Sequence, residues 1–173
     1  MTRTSIIARR LMIVGSVVIL GATFALSAKS QTAPAAPPPA AGGLSPARQA
    51  VDDRRAVYKL IGNNFKPLGA VLKGSPYEAT TVQKSITRLV FLSGLIDDAF
   101  PDISNIGEPE TKAKPDVWTN RADFDKKVKE FQTHLIALQL LNDTDKAATE
   151  AFKTAATAVA QDCKECHDTY RAK

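Results

Sequence analysis

The residues with the most specific chemical pattern lie near the C-terminus, where two cysteines are followed at once by a histidine. The segment is Cys163-Lys164-Glu165-Cys166-His167, and it contains both cysteines of the chain. On a helix, cysteines at i and i+3 project from one face, where their thiols can add to the two vinyl groups of a haem. The adjacent imidazole can turn to the iron as its proximal ligand. The pattern predicts one covalently bound haem c per chain, with His167 as axial ligand.

Two other uses of this cysteine pair compete with haem attachment. A C-x-x-C disulfide with a bystander histidine is typical of thioredoxin-like proteins, which need a βαβ context that this sequence lacks. The second alternative is half of a zinc site. Zinc takes four ligands in such sites, and only His134 is left to help. Haem attachment is therefore the favoured interpretation.

The opposite axial position of the iron has no obvious protein ligand. Methionine, the usual partner in electron-transfer cytochromes c, occurs only as Met1 and Met12 in the N-terminal leader. A lysine ligand would have to be buried and deprotonated. His134 lies between the helix seam positions Phe131 and Leu135, where a packed or partly exposed histidine is the simpler interpretation. We expect a five-coordinate iron with an apolar vacant side, and the alternative is a six-coordinate, low-spin iron.

The N-terminus has the composition of an export signal. Residues 1–10 are polar and basic, and residues 11–26 are almost wholly apolar without a charge, which is the order found in a secretory signal peptide. We expect residues 1–28 to be this signal peptide. The alternative is an uncleaved membrane anchor, since the apolar stretch is close to the lower limit for a membrane span. Residues 29–44 are rich in proline and alanine, which predicts a disordered linker before a domain over residues 45–173.

The net charge of +5 comes mostly from the leader. Residues 1–30 contain four of the 23 basic residues and none of the 18 acidic ones, so the rest has 19 basic and 18 acidic residues. No dense basic stripe remains there, and we expect no nucleic-acid partner. We expect a periplasmic location, with membrane contact only through the leader if it is not cleaved.

The first half of the domain has the apolar periodicity of two helices and no strand pattern. The spacing predicts a helix over residues 47–73, with a kink or a break at Pro67. Ser75, Pro76 and Glu78 have the spacing of a capping box, which predicts that the second helix begins there.

The second half of the domain has the same helical periodicity. We expect the second helix to end near Phe100 and a long, proline-rich loop to follow over residues 101–120. A third helix is predicted from about Asn120, and a fourth from Asn142 or Asp143 to the C-terminus. Short, long and short connections between four helices predict an all-α fold, an antiparallel four-helix bundle with the haem at its C-terminal end.

Several segments together resemble the cytochrome c′ family, the class II cytochromes c. The resemblance covers residues 45–173 and rests on RRAVYKLIGNNFKPLGAVLKG, SPYEA, KPDVWTNRADF, the alanine-rich last helix and the C-terminal CKECHDTYR. It implies that Cys163 and Cys166 attach the haem and that His167 binds the iron. The linker is not part of the family's core pattern, and the first-helix methionine of its low-spin members is absent here.

The resemblance also implies roles for five residues around the haem. Arg171 matches a basic residue beside the proximal face. Arg54 matches an arginine near a haem propionate, with Arg55 next to it. Tyr58 matches the bulky residue that covers the vacant iron face, although periodicity alone predicts a core aromatic there. Trp118 matches a loop tryptophan that packs near the haem, in a structural role.

The function implied by the resemblance is gas binding, with nitric oxide and carbon monoxide as ligands. Apolar walls disfavour charged ligands because their desolvation is not compensated, and a small neutral gas can enter if Tyr58 shifts. In the family, nitric oxide can displace the histidine and finish on the proximal side, beside Arg171. Electron transfer with an unknown redox partner and a homodimer through the first two helices are also implied. We expect no enzyme activity, since no acid–base pair of a peroxidase is recognisable.

Overall fold

The chain folds as a bundle of four long helices in a computed structural model that describes residues 43–107 and 109–173. The elements are α1 (Pro46–Leu72), α2 (Ala79–Gly94), a 3₁₀ turn (Asp102–Ser104), α3 (Asp116–Thr119), α4 (Arg121–Asp145) and α5 (Glu150–Tyr170). Helix α4 packs on α5, α1 on α2 and α2 on α4, and the predicted all-α four-helix bundle is confirmed. The predicted signal peptide and most of the predicted linker lie outside the described residues.

The first helix begins and ends with well-defined caps. The Ser45 hydroxyl accepts a hydrogen bond from the Arg48 amide at 3.2 Å, and proline follows at the first helical position, where its missing N–H costs nothing. The helix then continues past Pro67 to Leu72, so the predicted break does not occur. Gly74, with φ of +94°, ends the helix in a Schellman-type turn.

The predicted capping box over residues 75–78 is wrong. Helix α2 begins only at Ala79, and its N-cap makes no side-chain hydrogen bond. The Tyr77 hydroxyl instead donates to Asn142 Oδ1 at 2.5 Å, and its ring packs edge-on against Phe152 with centroids 5.4 Å apart. These contacts with α4 and α5 account for the extended segment, because a helix started at residue 76 would turn Tyr77 away from them.

The predicted boundary between the last two helices is also wrong. Asn142 lies inside α4, where it is 1% exposed, and the helix continues to Asp145. It ends at Lys146, which has left-handed backbone angles. Helix α5 begins at Glu150, after Thr149 has accepted a hydrogen bond from an amide of the first turn. Asn142 is a buried partner in a polar network. Because asparagine is also a common N-cap residue, the sequence alone suggested that a helix begins there.

The connection from α2 to α4 is built differently from the loop that the sequence predicts. Helix α2 ends at Gly94 and not near Phe100, and turns follow over residues 95–98. Phe100 is 6% exposed and lies in the connection, which also holds the 3₁₀ turn and α3. An isolated antiparallel bridge joins Ala113 of this connection to Arg171. The connection therefore packs across the C-terminal end of α5.

The core is the apolar seam of the long helices. Its completely buried large side chains include Leu68, Ile86, Leu89, Phe124, Leu135, Leu138, Phe152 and Val159. Most lie at the helical spacing that the sequence analysis identified. Within residues 43–107 and 109–173, no helix is both long enough and apolar enough to cross a membrane.

Candidate functional site

A large cavity is lined by residues of α1, α4, α5 and the connection between α2 and α4. Its volume is about 620 Å³, within the roughly 300–1,000 Å³ typical of ligand and cofactor pockets. The apolar part of its wall consists of Ile61, Phe65, Ile96, Phe100, Val117, Phe124, Val128 and Phe131. Such a wall suits a flat, apolar ligand.

Helix α5 presents the cysteine–histidine motif to this cavity. Cys163, Cys166 and His167 all line it, and both cysteines are free thiols of intermediate exposure. Burial raises the pKa of the Cys163 thiol to about 11 and also raises the pKa of Cys166. Both groups are therefore held as neutral thiols. In the described part of the chain, no three or more His, Cys, Asp or Glu side chains cluster as a metal site, so the zinc alternative finds no ligand set there.

The environment of His167 favours its neutral form. Burial lowers the pKa of its imidazole, and the positive charge of Arg171 lowers it further. A neutral imidazole is the form that binds a metal. Arg171 also lines the cavity, four residues after His167, at a point where the backbone bridges to Ala113. The structure thus brings the predicted proximal arginine and the predicted iron ligand together.

Arg54 lines the cavity but is held mainly by the connecting loop. Its guanidinium donates to Ala99 O at 3.2 Å, to Ser104 Oγ at 2.7 Å and to Thr111 Oγ1 at 2.8 Å. It lies 4.7 Å from the centroid of the Phe100 ring and is only 4% exposed, and this burial lowers the pKa of the guanidinium. Arg54 therefore fastens the loop to α1, a role that the sequence did not predict. Its contact with a haem propionate stays a prediction.

Tyr58 lines the same cavity one helical turn after Arg54. Its ring stands edge-on to Phe100 with centroids 6.0 Å apart. Burial raises the pKa of its phenol, so the neutral phenol is strongly favoured over the phenolate. No hydrogen bond joins its hydroxyl to another residue in the described part of the chain. Tyr58 thus lies in the cavity wall, and its placement beside the haem and its coverage of the iron stay predictions.

Arg55 and Trp118 are the remaining residues that the family resemblance implied. Arg55 lines the cavity and is exposed, and it donates to Asp52 Oδ1 at 3.1 Å and to Glu110 O at 2.7 Å. Trp118 does not line the cavity. Its indole donates to Phe100 O at 3.2 Å, and its ring meets the Phe100 ring with centroids 6.1 Å apart. Trp118 thus packs against Phe100 on the side away from the cavity lining.

His134 is turned to an aspartate and not to the cavity. It is absent from the cavity lining, and its Nδ1 lies 2.7 Å from Asp162 Oδ2. This position argues against His134 as the sixth iron ligand. Lys59, Lys112 and Lys127 do line the cavity, so they are the candidates for the lysine alternative.

The sequence analysis missed several residues of the cavity wall. Phe100 has no helical periodicity to mark it, because it lies in the connection after α2. Lys127 and Asp162 look like ordinary charged residues on exposed helix faces. The one signal for Asp162 was its position directly before Cys163. Phe131 was recognised as a seam position, and the structure shows that it and Phe124 also face the cavity.

Comparison with known proteins identifies the family. The model of the family described as Cytochrome C' matches residues 49–171. The chain belongs to the cytochrome c′ family. It is similar to cytochrome c′ of Allochromatium vinosum, with 34% identity over 137 residues that cover 77% of this chain and 86% of the relative.

Solved structures of cytochrome c′ from Alcaligenes xylosoxidans share the fold. A ferrous variant with bound nitric oxide superimposes with a TM-score of 0.67 at 28% identity, covering 76% of this chain and 99% of that chain. A variant with bound carbon monoxide gives a TM-score of 0.66 at 29% identity, covering 76% of this chain and all of that chain.

The residues around the cavity fit haem c, the covalently bound cofactor of this family. Two free thiols and a neutral imidazole line it from one helix, which supplies the groups that haem attachment and iron binding need. The apolar wall suits the macrocycle, and Arg54, Arg55 and Arg171 are cations that could face its propionates. When bound, the haem supplies an iron centre for electron exchange or ligand binding. The cofactor prediction is confirmed.

Proposed function

We propose that this protein is a periplasmic haem c protein whose five-coordinate iron binds nitric oxide and carbon monoxide. The observation that carries the proposal is the composition of the cavity wall. Besides His167 and the two cysteines, the described residues of the wall include Tyr58, three lysines and Asp162 as groups able to bind iron, and no methionine. Asp162 is already paired with His134. Related proteins with bound nitric oxide and carbon monoxide support the choice of ligands.

The groups that could occupy the sixth position are in forms that bind iron poorly. A tyrosine ligand must be a phenolate, and the raised pKa of Tyr58 opposes its deprotonation. A lysine ligand must lose its proton, which costs free energy unless the amine is deeply buried. Lys59 is exposed, Lys112 Nζ donates to Lys173 O at 2.8 Å, and Lys127 Nζ lies 3.7 Å from the Glu165 carboxylate. An open iron position is therefore the favoured state.

Selectivity for small neutral gases follows from the same wall. A charged ligand would lose its hydration without compensation beside Phe100 and Phe131. No hydrogen bond to a described residue fixes the Tyr58 hydroxyl, so its ring can shift for a diatomic ligand. On the proximal side, Arg171 near His167 can donate to nitric oxide if the histidine is displaced.

Visible absorption spectra of the purified holoprotein test this proposal. Ferric and ferrous samples are measured before and after addition of carbon monoxide and nitric oxide. High-spin spectra that change with both gases support the five-coordinate iron. A low-spin spectrum that carbon monoxide leaves unchanged would refute it and would favour an electron carrier. In that case, Lys59→Met and Lys127→Met would identify the ligand by conversion to a high-spin spectrum.

We further propose a homodimer through α1 and α2. Two large apolar side chains on these helices are exposed, Leu60 at 49% and Phe91 at 71%, and Leu95, directly after α2, is exposed at 40%. Light scattering should give a dimer mass that Phe91→Glu reduces to that of a monomer. Leu140→Glu is the matched control, because Leu140 is 64% exposed on α4. A monomer mass for the unaltered protein at every concentration would refute the dimer.

The location and the redox role rest on the sequence. The predicted signal peptide would take the chain to the compartment where haem is joined to c-type cytochromes, which supports a periplasmic protein. We propose that the haem also exchanges electrons with a redox partner, and that the protein is a carrier and gas-binding protein without enzyme activity. Cell fractionation tests the location, and recovery of the haem protein with cytoplasmic markers would contradict it.

A further inference from the structure

A histidine and an aspartate form a pair at the edge of the haem cavity. His134 Nδ1 lies 2.7 Å from Asp162 Oδ2, and this contact joins α4 to α5. The Asp162 side chain is 13% exposed and lines the cavity directly before Cys163. The His134 side chain is 44% exposed. One member of the pair therefore faces the cavity, and the other is accessible to water.

We propose that His134 and Asp162 form a proton-binding site that is coupled to the oxidation state of the haem. The two side chains share a hydrogen bond, so they take up and release a proton as a unit. Histidine is the side chain type that changes its charge between about pH 5 and 8. The coupling needs haem in the cavity, but it does not depend on gas binding or on a five-coordinate iron.

The electrostatics of the cavity provide the coupling. Burial raises the pKa of Asp162, the charges of Glu165 and Glu130 raise it further, and the hydrogen bond and charge of His134 act in the opposite direction. Without His134, the surroundings of Asp162 would therefore disfavour its charged carboxylate form. One electron added to the haem places another negative charge behind an apolar wall, where screening by water is weak. A proton on the pair offsets that charge, so reduction favours its uptake from solvent.

Other charged groups near the pair change the potential without giving it this pH dependence. Lys127 on α4 pairs with Glu165 on α5 at 3.7 Å, and Arg55 and Lys59 on α1 line the same cavity. Arg171 lines it from the end of α5. Lysine and arginine side chains titrate above about pH 8, and ordinary carboxylates below about pH 5.

The haem propionates are the other groups that can titrate in this range. They are present in every variant, so a comparison between variants separates their contribution from that of the pair.

The expected effect is a midpoint potential that falls as the pH rises. Linkage requires that a proton which binds more tightly to the ferrous form also stabilises that form, so the potential is higher at low pH. Two unit charges about 12 Å apart in a medium with an effective dielectric constant of about 20 change each other's binding constant about tenfold. For one electron, a tenfold change corresponds to about 59 mV between the acid and alkaline plateaus.

The experiment is a spectroelectrochemical titration of the purified holoprotein between about pH 5 and 8. His134→Gln keeps a side chain that can donate to Asp162 but cannot titrate. Asp162→Asn removes the carboxylate and serves as the second variant. Asp143→Asn is the control, because this α4 carboxylate accepts from Gln83 and does not line the cavity. Circular dichroism and the haem spectrum confirm that each variant folds.

The outcomes distinguish the proposal from its alternatives. Between the acid and alkaline ends of the titration, we expect the midpoint potential to fall by about 59 mV more in the unaltered protein and in Asp143→Asn than in His134→Gln. An equal pH dependence in the unaltered protein and His134→Gln would overturn the proposal. Carbon monoxide binding, measured on the same samples, tests the gas-binding function separately.

A second measurement needs no variant. A pH-indicator dye in weakly buffered solution should report uptake of about half a proton per electron at the middle of the titration, as a tenfold difference in proton affinity requires. Reduction without proton uptake anywhere in this pH range would also overturn the proposal.

Discussion

Arg54→Ala should destabilise the protein far more than the same change at its neighbour Arg55. The Arg54 guanidinium makes three hydrogen bonds to the loop between residues 99 and 111, and it is 4% exposed. Arg55 is exposed, pairs with Asp52 in the same helix and makes one hydrogen bond to the loop, to Glu110 O at 2.7 Å. The two arginines are adjacent in the chain, so the comparison separates burial and the number of loop contacts from charge.

The magnitude follows from the contacts that each change removes. Hydrogen bonds to charged groups contribute about 1.5 kcal/mol each at the lower end of their range, which gives about 4–5 kcal/mol for Arg54. Truncation also removes a buried charge, which offsets part of this loss, so we expect a net cost of about 3 kcal/mol. The loss of the Phe100 contact at 4.7 Å acts in the same direction. An exposed ion pair contributes about 0–1 kcal/mol, and the exposed hydrogen bond of Arg55 to Glu110 O adds about 0.5 kcal/mol. Arg55→Ala should therefore cost less than about 1.5 kcal/mol.

Urea unfolding of the holoprotein, followed by the helical circular dichroism signal, measures both free energies. The haem content of each variant is matched by its absorption in pyridine and alkali before unfolding. Arg54→Lys is an informative third variant, because it keeps the charge and loses the planar set of donors. If Arg54→Ala and Arg55→Ala cost the same within about 0.5 kcal/mol, the idea that Arg54 fastens the loop is wrong.

Three further predictions concern the haem, the cavity and the tyrosines. Cys163→Ser and Cys166→Ser should each remove one thioether bond, and only the double variant should release all haem on a denaturing gel; haem retained by the double variant would refute the motif. Tyr58→Ala should bind carbon monoxide about two- to tenfold faster in stopped-flow experiments. The reason is that no ring has to break its contact with Phe100 before the gas can enter, and an aromatic contact of this kind contributes about 0.5–1.5 kcal/mol. Tyr58→Phe is the control, because it keeps the ring and should bind at the unaltered rate. The free energy of unfolding should fall as the pH rises above about 10, because the unfolded chain then releases phenol protons that the folded protein retains. Burial raises the pKa of both Tyr58 and Tyr170, and Asp123, which accepts from the Tyr170 hydroxyl at 2.6 Å, raises the latter further. Tyr170→Phe should therefore show a smaller fall, and an unchanged slope in urea unfolding at alkaline pH would count against this explanation.

The sequence by itself determined the chemistry of the motif and the number of long helices. Cysteines three residues apart and a histidine one residue later face one side of a helix wherever that helix lies, so the arrangement of Cys163, Cys166 and His167 is local. The seam of apolar residues is equally local, because a period of 3.6 residues is a property of the helix itself. For the same reason the start of α4 at Arg121 agrees with the prediction from about Asn120.

The tertiary structure decided what depends on contacts between distant parts of the chain. Residues 75–78 read as a helix start, but Tyr77 bonds to Asn142, 65 residues away, and the segment stays extended. The family resemblance placed Arg54 near a haem propionate and gave no sign of its partners in the loop, which are 45 to 57 residues away.

His134 shows the same limit within the candidate site. As a lone histidine between two seam positions, it gave no sign of the aspartate 28 residues further along the chain. Periodicity predicts which face of a helix is buried, because that depends on neighbours three and four residues apart. It does not predict which polar groups meet across the bundle, because their pairing depends on how the helices align, and that is fixed only when the whole core packs.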